Sequence, residues 1–257
     1  MFDRMTVSSS RFVEPVHALE AGALVPKRLV RFPDARTCIV MRVFVDGRRD
    51  VGVVGPHRRA WWKDPGPLAW AIEVPLKLGW ATSLLGVPAH ALVDHVVPLD
   101  ALWDARARDV LLASTDVASA ANAVEAMLSA RVAVVEPVAA VLARRASRLL
   151  EAGAARVEHV AARLGVTDRH LRRAFTEQIG IPPKHFARAM RLRRAVASLA
   201  SGQDWGRIAL AVGYADQSHL ITDCRDLLGA TPSALRRALE TDVALAGLEL
   251  RTTTPLA

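Results

Sequence analysis

Residues 161–183 read AARLGVTDRHLRRAFTEQIGIPP, and residues 209–232 read ALAVGYADQSHLITDCRDLLGATP. The second stretch repeats the residue pattern of the first at a nearly constant separation in sequence. Five pairs stand 49 positions apart: Thr167 and Asp216, Leu171 and Leu220, Phe175 and Cys224, Gly180 and Gly229, and Pro183 and Pro232. The two turn glycines, Gly165 and Gly213, are 48 apart, so the second turn is one residue longer. A repeat this regular indicates one supersecondary unit that is used twice.

Each copy has the pattern of a helix-turn-helix. It begins with a small residue that lets a second helix approach, and a glycine four positions later can end the first helix in a left-handed conformation. Thr167 and Asp216 are good N-caps for the helix that follows. In the first copy Leu171 and Phe175 are four apart and share the inner face. The opposite face is then left free, which is the geometry that enters a DNA major groove.

At these residues the chain resembles the AraC/XylS family of transcription regulators. The likeness covers roughly residues 137–240 and includes the helix predicted over residues 183–200 and the closing segment 213–236. It implies sequence-specific binding to double-stranded DNA by two recognition helices that a linker helix places one helical turn apart, roughly 34 Å. A homodimer that activates transcription and contacts RNA polymerase is expected with this resemblance, while the sequence itself leaves both repression and other oligomeric states open. The alternative is a helical bundle with a chance repeat.

The predicted DNA contacts are of two kinds. Arginine bridges guanine O6 and N7, and glutamine pairs with adenine, so the base-reading candidates are Arg169, Arg172, Arg173, Gln217, Ser218 and Thr222. The candidates for phosphate contact are Lys184, Arg188, Arg191, Arg193, Arg194 and Arg207. The alternative for the arginines of the first recognition helix is a solvated charged face, or contact with phosphates alone. His170, next to a buried leucine, is predicted to be packed or bonded to the backbone.

The second recognition helix departs from the family pattern. The family commonly has an arginine where this chain has Thr222, and aromatic residues where it has Leu220 and Cys224. Asp223 and Asp226 add negative charge nearby. The second motif is therefore predicted to contribute less affinity and less base discrimination than the first.

The net charge is concentrated on the repeat-bearing segment. The whole chain has 34 Lys+Arg and 26 Asp+Glu, a formal charge of +8. Residues 137–240 hold 17 basic and 9 acidic side chains, whereas residues 1–136 are nearly balanced at 16 and 15. Such a distribution is the electrostatic footprint expected for phosphate binding.

Cysteine usage and hydropathy set the expected compartment. Cys38 and Cys224 fall in different predicted domains, so no disulfide framework is expected. Both are predicted to be small buried hydrophobic residues. The first residues lack a signal-peptide pattern. The longest uncharged run, residues 78–93, has 16 residues and is interrupted by glycine and proline, which is too short to span a bilayer. A soluble cytoplasmic protein without a membrane partner is expected.

The N-terminal half predicts a small antiparallel β-domain followed by helices, so the fold class is α+β. Short β-rich runs are separated by turn signals, including Asp46-Gly47, which is typical of a hairpin. The predicted strands cover residues 37–45, 50–54, 60–62 and 68–74, and the predicted helices cover residues 80–85, 88–95, 99–113, 116–131 and 137–151. Residues 85–103 resemble a subset of the family in which a cupin-like domain comes first. The expected division is a β-rich sensor and dimerisation domain (1–115), a helical connector (116–136), the all-α DNA-binding domain of two motifs and a linker helix (137–240), and a tail (241–257).

The tryptophans of the N-terminal half suggest a site for a small-molecule effector. A pocket lined by Trp61, Trp62, Trp70 and Trp80 is one interpretation, and core packing of the same residues is the other. The histidines at 57, 90 and 95 lack metal-ligand spacing, so neither a cofactor nor a catalytic activity is expected. Two alternatives stay open, a metal-dependent cupin-type enzyme fused to a DNA-binding domain and a DNA-binding protein with no regulatory role.

Overall fold

The computed structural model describes residues 11–20, 28–131, 136–153, 156–198, 204–240 and 243–246, the last range by its backbone. The strands are β1 His17–Glu20, β2 Arg28–Arg31, β3 Cys38–Phe44, β4 Arg49–Val54, β5 Trp61–Lys63, β6 Leu68–Pro75, β7 Val96–Pro98 and β8 Val243–Ala246. The α-helices are α1 Ala81–Leu85, α2 Ala105–Leu112, α3 Val117–Arg131, α4 Val138–Glu151, α5 Val157–Arg163, α6 Asp168–Ile179, α7 Pro183–Ala197, α8 Trp205–Ala211, α9 Gln217–Leu228 and α10 Pro232–Glu240. Two 3-10 turns cover Ala89–Leu92 and Leu99–Ala101.

The strands form two sheets. The larger is antiparallel with the order β1-β6-β3-β4-β7, and the smaller has the order β5-β2-β8. The predicted hairpin at Asp46-Gly47 joins β3 to β4, and Gly47 has the positive φ of 83° that such a turn favours. Strand β8 pairs in parallel with β2. Part of the predicted tail is thus a strand of the N-terminal half.

Period-two alternation builds the N-terminal core. In β3, Ile39, Met41 and Val43 are buried, while the residues between them are only half-buried. The buried face packs against helices α1, α2 and α3, so α3, in the predicted connector, contributes Val124 and Leu128 to the core of the β-domain.

Two predicted helices of this half are shorter than the sequence pattern suggests. Residues 88–95 contain only the 3-10 turn, and residues 99–113 are divided into a 3-10 turn and α2. The division falls at Asp104, which has an extended backbone and whose side chain accepts the N–H of Ala107 at 2.7 Å. An aspartate N-cap starts a new helix there.

The C-terminal half is all-α, as predicted. The paired inner positions of the repeat form the core of this half. All four are fully buried: Leu171 and Phe175 in α6, and Leu220 and Cys224 in α9. The linker helix α7 buries Phe186 and Met190, among others, in that core. Residues 199 and 200, the end of the predicted linker helix, lie outside the described residues. Both cysteines are free and buried, and the predicted α+β class is confirmed.

Candidate nucleic-acid interface

The two recognition helices, α6 and α9, begin as the sequence predicts. Thr167 Oγ1 accepts the backbone N–H of His170 at 3.2 Å, and Asp216 Oδ1 accepts the N–H of His219 at 2.8 Å. The preceding turns contain Gly165 at φ +70° and the equivalent glycine at φ +91°. Each side-chain cap satisfies a backbone donor that the first turn of a helix leaves open.

The outward face of α6 carries two exposed arginines. Arg169 and Arg173 are four apart and lie opposite the buried stripe. Arg172 lies on the flank instead, where it donates to Asp168 at 2.6 Å and lies 3.4 Å from Glu158 of α5. The three arginines grouped by the sequence are therefore two outward cations and one that is paired within the protein.

His170 differs from its prediction. Its side chain is exposed at the start of α6, and the described hydrogen bond at this residue is the one its backbone N–H makes to Thr167. Position 170 follows the cap by three residues and faces away from the buried stripe, so adjacency to a buried leucine in sequence was misleading. The prediction that this side chain is packed is wrong.

The outward face of α9 is polar. Gln217, Ser218 and Thr222 are all exposed. The Thr222 hydroxyl donates to the Ser218 carbonyl at 3.0 Å, which leaves its oxygen free to act as an acceptor. Arg225 is exposed on the same face, three residues after Thr222 and seven after Ser218. The sequence reasoning missed Arg225, although its helical spacing was the available signal.

The predicted phosphate contacts divide by exposure. Lys184, in the first turn of α7, and Arg207, in α8, are exposed at the surface. Arg191 is half-buried, with its guanidinium 5.2 Å from the centroid of the Tyr214 ring. The first two therefore have the accessibility that a phosphate contact needs, and Arg191 presents only part of its surface.

The other three predicted phosphate contacts are engaged by the protein. Arg194 donates to the Glu151 carbonyl at 2.9 Å, at the C-terminal end of α4. Arg193 lies 3.9 Å from Asp34 of the N-terminal half. Arg188 pairs with acidic side chains of α9. These arginines connect parts of the chain to one another.

One loop of the N-terminal half, residues 55–63, reaches the C-terminal end of α9. The Ala60 N–H donates to the Leu227 carbonyl at 2.6 Å, and the Trp62 indole N–H donates to the Leu228 carbonyl at 2.9 Å. The last four carbonyls of a helix lack partners within the helix, so these two bonds fix that end of the second recognition helix to the β-domain.

The first recognition helix is held in a similar way. The Thr82 hydroxyl donates to the Glu177 carbonyl at 3.2 Å, near the C-terminal end of α6. Nearby, a ring nitrogen of His185, in the first turns of α7, lies 2.9 Å from the Arg58 carbonyl. Burial lowers the pKa of His185. The N-terminal half thus contacts both recognition helices at their C-terminal ends, away from the caps of their first turns.

Gly180 allows the N-terminal half to approach the end of α6 closely. It has φ +95°, and a Cβ built on it would lie 2.9 Å from Pro56 Cγ and 3.0 Å from the Ala89 carbonyl oxygen. Its equivalent, Gly229, has φ +68° but meets no described atom within 4 Å of such a Cβ. The same repeat position therefore ends a helix in both motifs and also makes room for the β-domain in the first.

A cavity of about 350 Å³ lies between the two sheets. Three cationic side chains line it, and two of them are neutralised: Arg31 by Glu73 at 2.6 Å and Arg42 by Asp50 at 2.8 Å. Lys63 has no carboxylate within 4 Å among the described residues, and burial and then the charge of Arg42 lower its pKa. The apolar part of the lining includes Leu19, Leu29, Val40, Val54, Trp61 and Leu68.

The structure does not gather the four tryptophans into one pocket. Trp61 lines the cavity, and Trp62 packs against the helical core instead. Trp80 belongs to the core of the β-domain, where it meets Phe12 edge-on at 4.8 Å, and the partly buried Trp70 packs against that core. The packing of these two residues matches the interpretation that the tryptophans are core residues of the β-domain.

The described residues show no metal centre and no membrane span. No three His, Cys, Asp or Glu side chains come together among them as ligands for an ion. His57 stacks on Trp61 at 5.1 Å and bonds the Gly55 carbonyl. In the described part of the chain, every helix is too short or too polar to cross a bilayer.

Each recognition helix packs against the first helix of its motif, α5 or α8, and exposes its outer face, and α7 joins the two motifs. This arrangement defines a tandem helix-turn-helix DNA-binding protein. Comparison with protein families agrees, because residues 160–238 match the model described as a helix-turn-helix domain. No curated protein matches the chain.

Similar solved structures include a domain of a response regulator and a probable AraC family transcriptional regulator. The C-terminal domain of AraT, a response regulator from Geobacillus stearothermophilus, shares 26% identity over 41% of this chain and 88% of its own, with a TM-score of 0.36. A probable AraC family transcriptional regulator from Rhodopseudomonas palustris shares 29% over 38% and 96%, with a TM-score of 0.34. ToxT from Vibrio cholerae shares 10% over 88% and 97%, with a TM-score of 0.45. All three scores are below 0.5, so nothing about ligands or partners is taken from them.

The predicted resemblance is confirmed for the C-terminal half. Residues 160–238 match a helix-turn-helix domain and form both of its motifs, which supports the prediction of a DNA-binding protein.

Proposed function

We propose that the chain reads a specific double-stranded DNA site by placing α6 and α9 in successive major-groove segments. The observation that carries the proposal is the shared orientation of each recognition helix, with its inner face packed and its outward face exposed. Arginine and glutamine side chains on such a face offer the donors that base edges accept. Action in the cytoplasm as a homodimeric activator that contacts RNA polymerase is part of the proposal and rests on the family resemblance.

The proposed roles follow from exposure and pairing. Arg169 and Arg173 read bases from α6, and Gln217 and Ser218 do so from α9. Arg172 remains a candidate, but a base contact would require it to leave Asp168. The exposed Lys184 and Arg207 are the phosphate contacts best placed to form without rearrangement, together with Thr222 and Arg225 on the face of α9.

The test is selection of bound sequences from a random DNA pool, followed by affinity measurements in competition with unrelated DNA. We expect one enriched site with two short boxes about ten base pairs apart. Binding that ignores sequence would support a DNA-binding protein without a regulatory role and would contradict the proposal.

An alanine scan on the selected site tests the predicted asymmetry between the motifs. The outward face of α6 carries two exposed guanidinium groups, whereas that of α9 carries one, Arg225, beside three neutral residues, Gln217, Ser218 and Thr222. We expect larger losses at Arg169 and Arg173 than at Gln217 and Thr222, because charge-assisted contacts are the stronger ones. Equal losses in the two motifs would refute the asymmetry.

We further propose that the cavity of the β-domain binds a small apolar effector that carries an acid group. Its lining is largely apolar, and Lys63 is the one of its three cations that lacks a carboxylate partner among the described residues. The described partner of its ammonium group is the Trp61 ring, whose centroid is 5.2 Å away. A partly buried cation that lacks a carboxylate favours an anion from the ligand, because a charge removed from water needs a countercharge.

Decanoate and decanol are suitable probes because they share the apolar chain and differ in the charged group. We expect decanoate to displace the dye 1-anilinonaphthalene-8-sulfonate at a concentration at least tenfold lower than decanol does. The variant Lys63→Met should remove that difference, and Lys77→Met, at a lysine that does not line the cavity, should keep it. Equal displacement by both probes from the unaltered protein would contradict the acid group.

Strand β5 offers a route from the cavity to the DNA-binding helices. Its alternate residues Trp61 and Lys63 line the cavity, and Trp62 between them donates to the C-terminal end of α9. The neighbouring strand has the same alternation, with Arg31 in the cavity and Val30 in the helical core. Because successive side chains of a strand point to opposite faces, a ligand that shifts β5 shifts the support of α9.

A further inference from the structure

Arg188 of the linker helix binds two acidic residues of the second recognition helix. Its Nε donates to Asp223 Oδ1 at 2.5 Å, and its Nη2 donates to Asp226 Oδ2 at 2.5 Å. The Asp223 side chain is only 12% exposed and lies on the inner stripe of α9, whereas that of Asp226 is 51% exposed. The pair with Asp223 is therefore the one sheltered from solvent, and exposed pairs contribute little.

The second oxygen of Asp223 is also bonded. The hydroxyl of Tyr214, in the turn between α8 and α9, donates to Asp223 Oδ2 at 2.9 Å. Burial, and then the neighbouring Asp223 carboxylate, raise the pKa of Tyr214, so the phenol stays protonated and able to donate. One inward carboxylate thus connects the linker helix, the turn of the second motif and its recognition helix.

The first motif is built without this connection. The position equivalent to Asp223, 49 residues earlier, is Ala174, which is 3% exposed in the core. An apolar small residue therefore satisfies the helix-turn-helix packing at this place. The acid in the second motif adds an orienting contact that the fold of the unit does not require.

We propose that Arg188 is a positioning residue that fixes the orientation of α9 on the linker helix, and that it acts through Asp223 without contacting a DNA phosphate. The inference rests on the proposed function, in which α9 reads the second box. It differs from the sequence-based prediction, which placed Arg188 among the phosphate contacts. Breaking a buried pair from one side leaves an uncompensated charge, whereas replacing both partners with apolar groups is often neutral.

The test compares Arg188→Met with the double variant Arg188→Met/Asp223→Ala, which restores the alanine of the first motif. Affinity is measured over a range of KCl concentrations on the selected two-box site and on a site whose second box is scrambled. We expect Arg188→Met to lose at least tenfold on the two-box site and little on the scrambled site. The double variant should recover most of the affinity and the salt dependence of the unaltered protein.

A phosphate contact would give a different result. In that case the plot of log affinity against log salt would be less steep by about 0.9 in both variants. The double variant would then not recover the affinity of the unaltered protein. That outcome overturns the proposal, as does an Arg188→Met variant that binds both sites normally. Lys184→Met, at an exposed lysine of the same helix, provides the reference for a lost phosphate contact.

One further variant tests the same carboxylate from its other oxygen. Tyr214→Phe removes the second donor to Asp223 and keeps the ring beneath Arg191, so we expect a smaller loss confined to the two-box site. If Arg188→Met does not fold, the double variant alone decides, because full affinity and an unchanged slope support positioning. A failure of the proposed function is distinguishable, since the unaltered protein would then select no two-box site.

Discussion

At the scale of single residues, neighbouring arginines of α6 have different surroundings. Arg172 forms an i,i+4 pair with Asp168, whereas Arg169 and Arg173 are exposed on the outward face. The pair is itself partly exposed, so its contribution to stability is small. It nevertheless orients the Arg172 guanidinium along the helix flank, toward Glu158.

This difference predicts a graded response to substitution. We expect Arg169→Ala or Arg173→Ala to lose roughly 1–3 kcal/mol of discrimination between the selected site and a single-base variant of it. Arg172→Ala should lose less, because its guanidinium already has carboxylate partners. Equilibrium binding to the two DNA sites measures the difference, and the largest loss at Arg172 would contradict the assignment.

At the scale of elements, the same repeat position has two environments. Gly180 and Gly229 both end a recognition helix with positive φ, but only Gly180 approaches Pro56 and Ala89. An alanine is strained at either position. At Gly180 it would also collide with the β-domain.

The same substitution at the two glycines therefore gives a matched comparison of stability. We expect Gly229→Ala to lower the free energy of unfolding by about 1 kcal/mol, from backbone strain. Gly180→Ala should lose about 1–3 kcal/mol more, because overpacking adds to the strain. Thermal and urea unfolding measure both variants, and equal losses would show that the approach of the β-domain to Gly180 does not hold in solution.

Local signals were sufficient to predict the elements of the two motifs. The caps at Thr167 and Asp216 and the left-handed glycines of the turns depend on neighbours within a few residues, and the structure has them as predicted. The partners of Trp62 and Arg188 are 166 and 38 residues away. Contacts between elements this distant have no signature in spacing, which is why the sequence predicted neither the separate locations of the tryptophans nor the pairing of Arg188 with α9.

At the scale of the whole molecule, the β-domain and the linker helix both hold the recognition helices. The loop that ends in β5 bonds α9, while Thr82 bonds α6. The spacing of the two helices is therefore constrained by α7 and, independently, by contacts to one β-domain. A ligand between the sheets would act on the contacts between the β-domain and the recognition helices.

This arrangement predicts that Trp62 couples the cavity to DNA binding. We expect Trp62→Phe, which keeps an aromatic side chain but removes the indole N–H donated to Leu228, to lose about 1 kcal/mol of stability from that hydrogen bond. We expect decanoate to change the affinity of the unaltered protein for the two-box site and to have no such effect in this variant. Trp70→Phe, at a residue packed against the core of the β-domain, is the control. A normal decanoate response in Trp62→Phe would exclude this route.

Hydroxyl-radical footprinting of the protein on its selected site tests most directly whether both recognition helices bind one duplex at a fixed spacing. We expect two protected segments about ten base pairs apart on the same face of the DNA, because rigidly held helices enter the major groove one turn apart, roughly 34 Å. Inserting five base pairs between the boxes should remove the second segment and leave the first. A single protected segment on the unaltered site, or two that tolerate the insertion, would contradict the account.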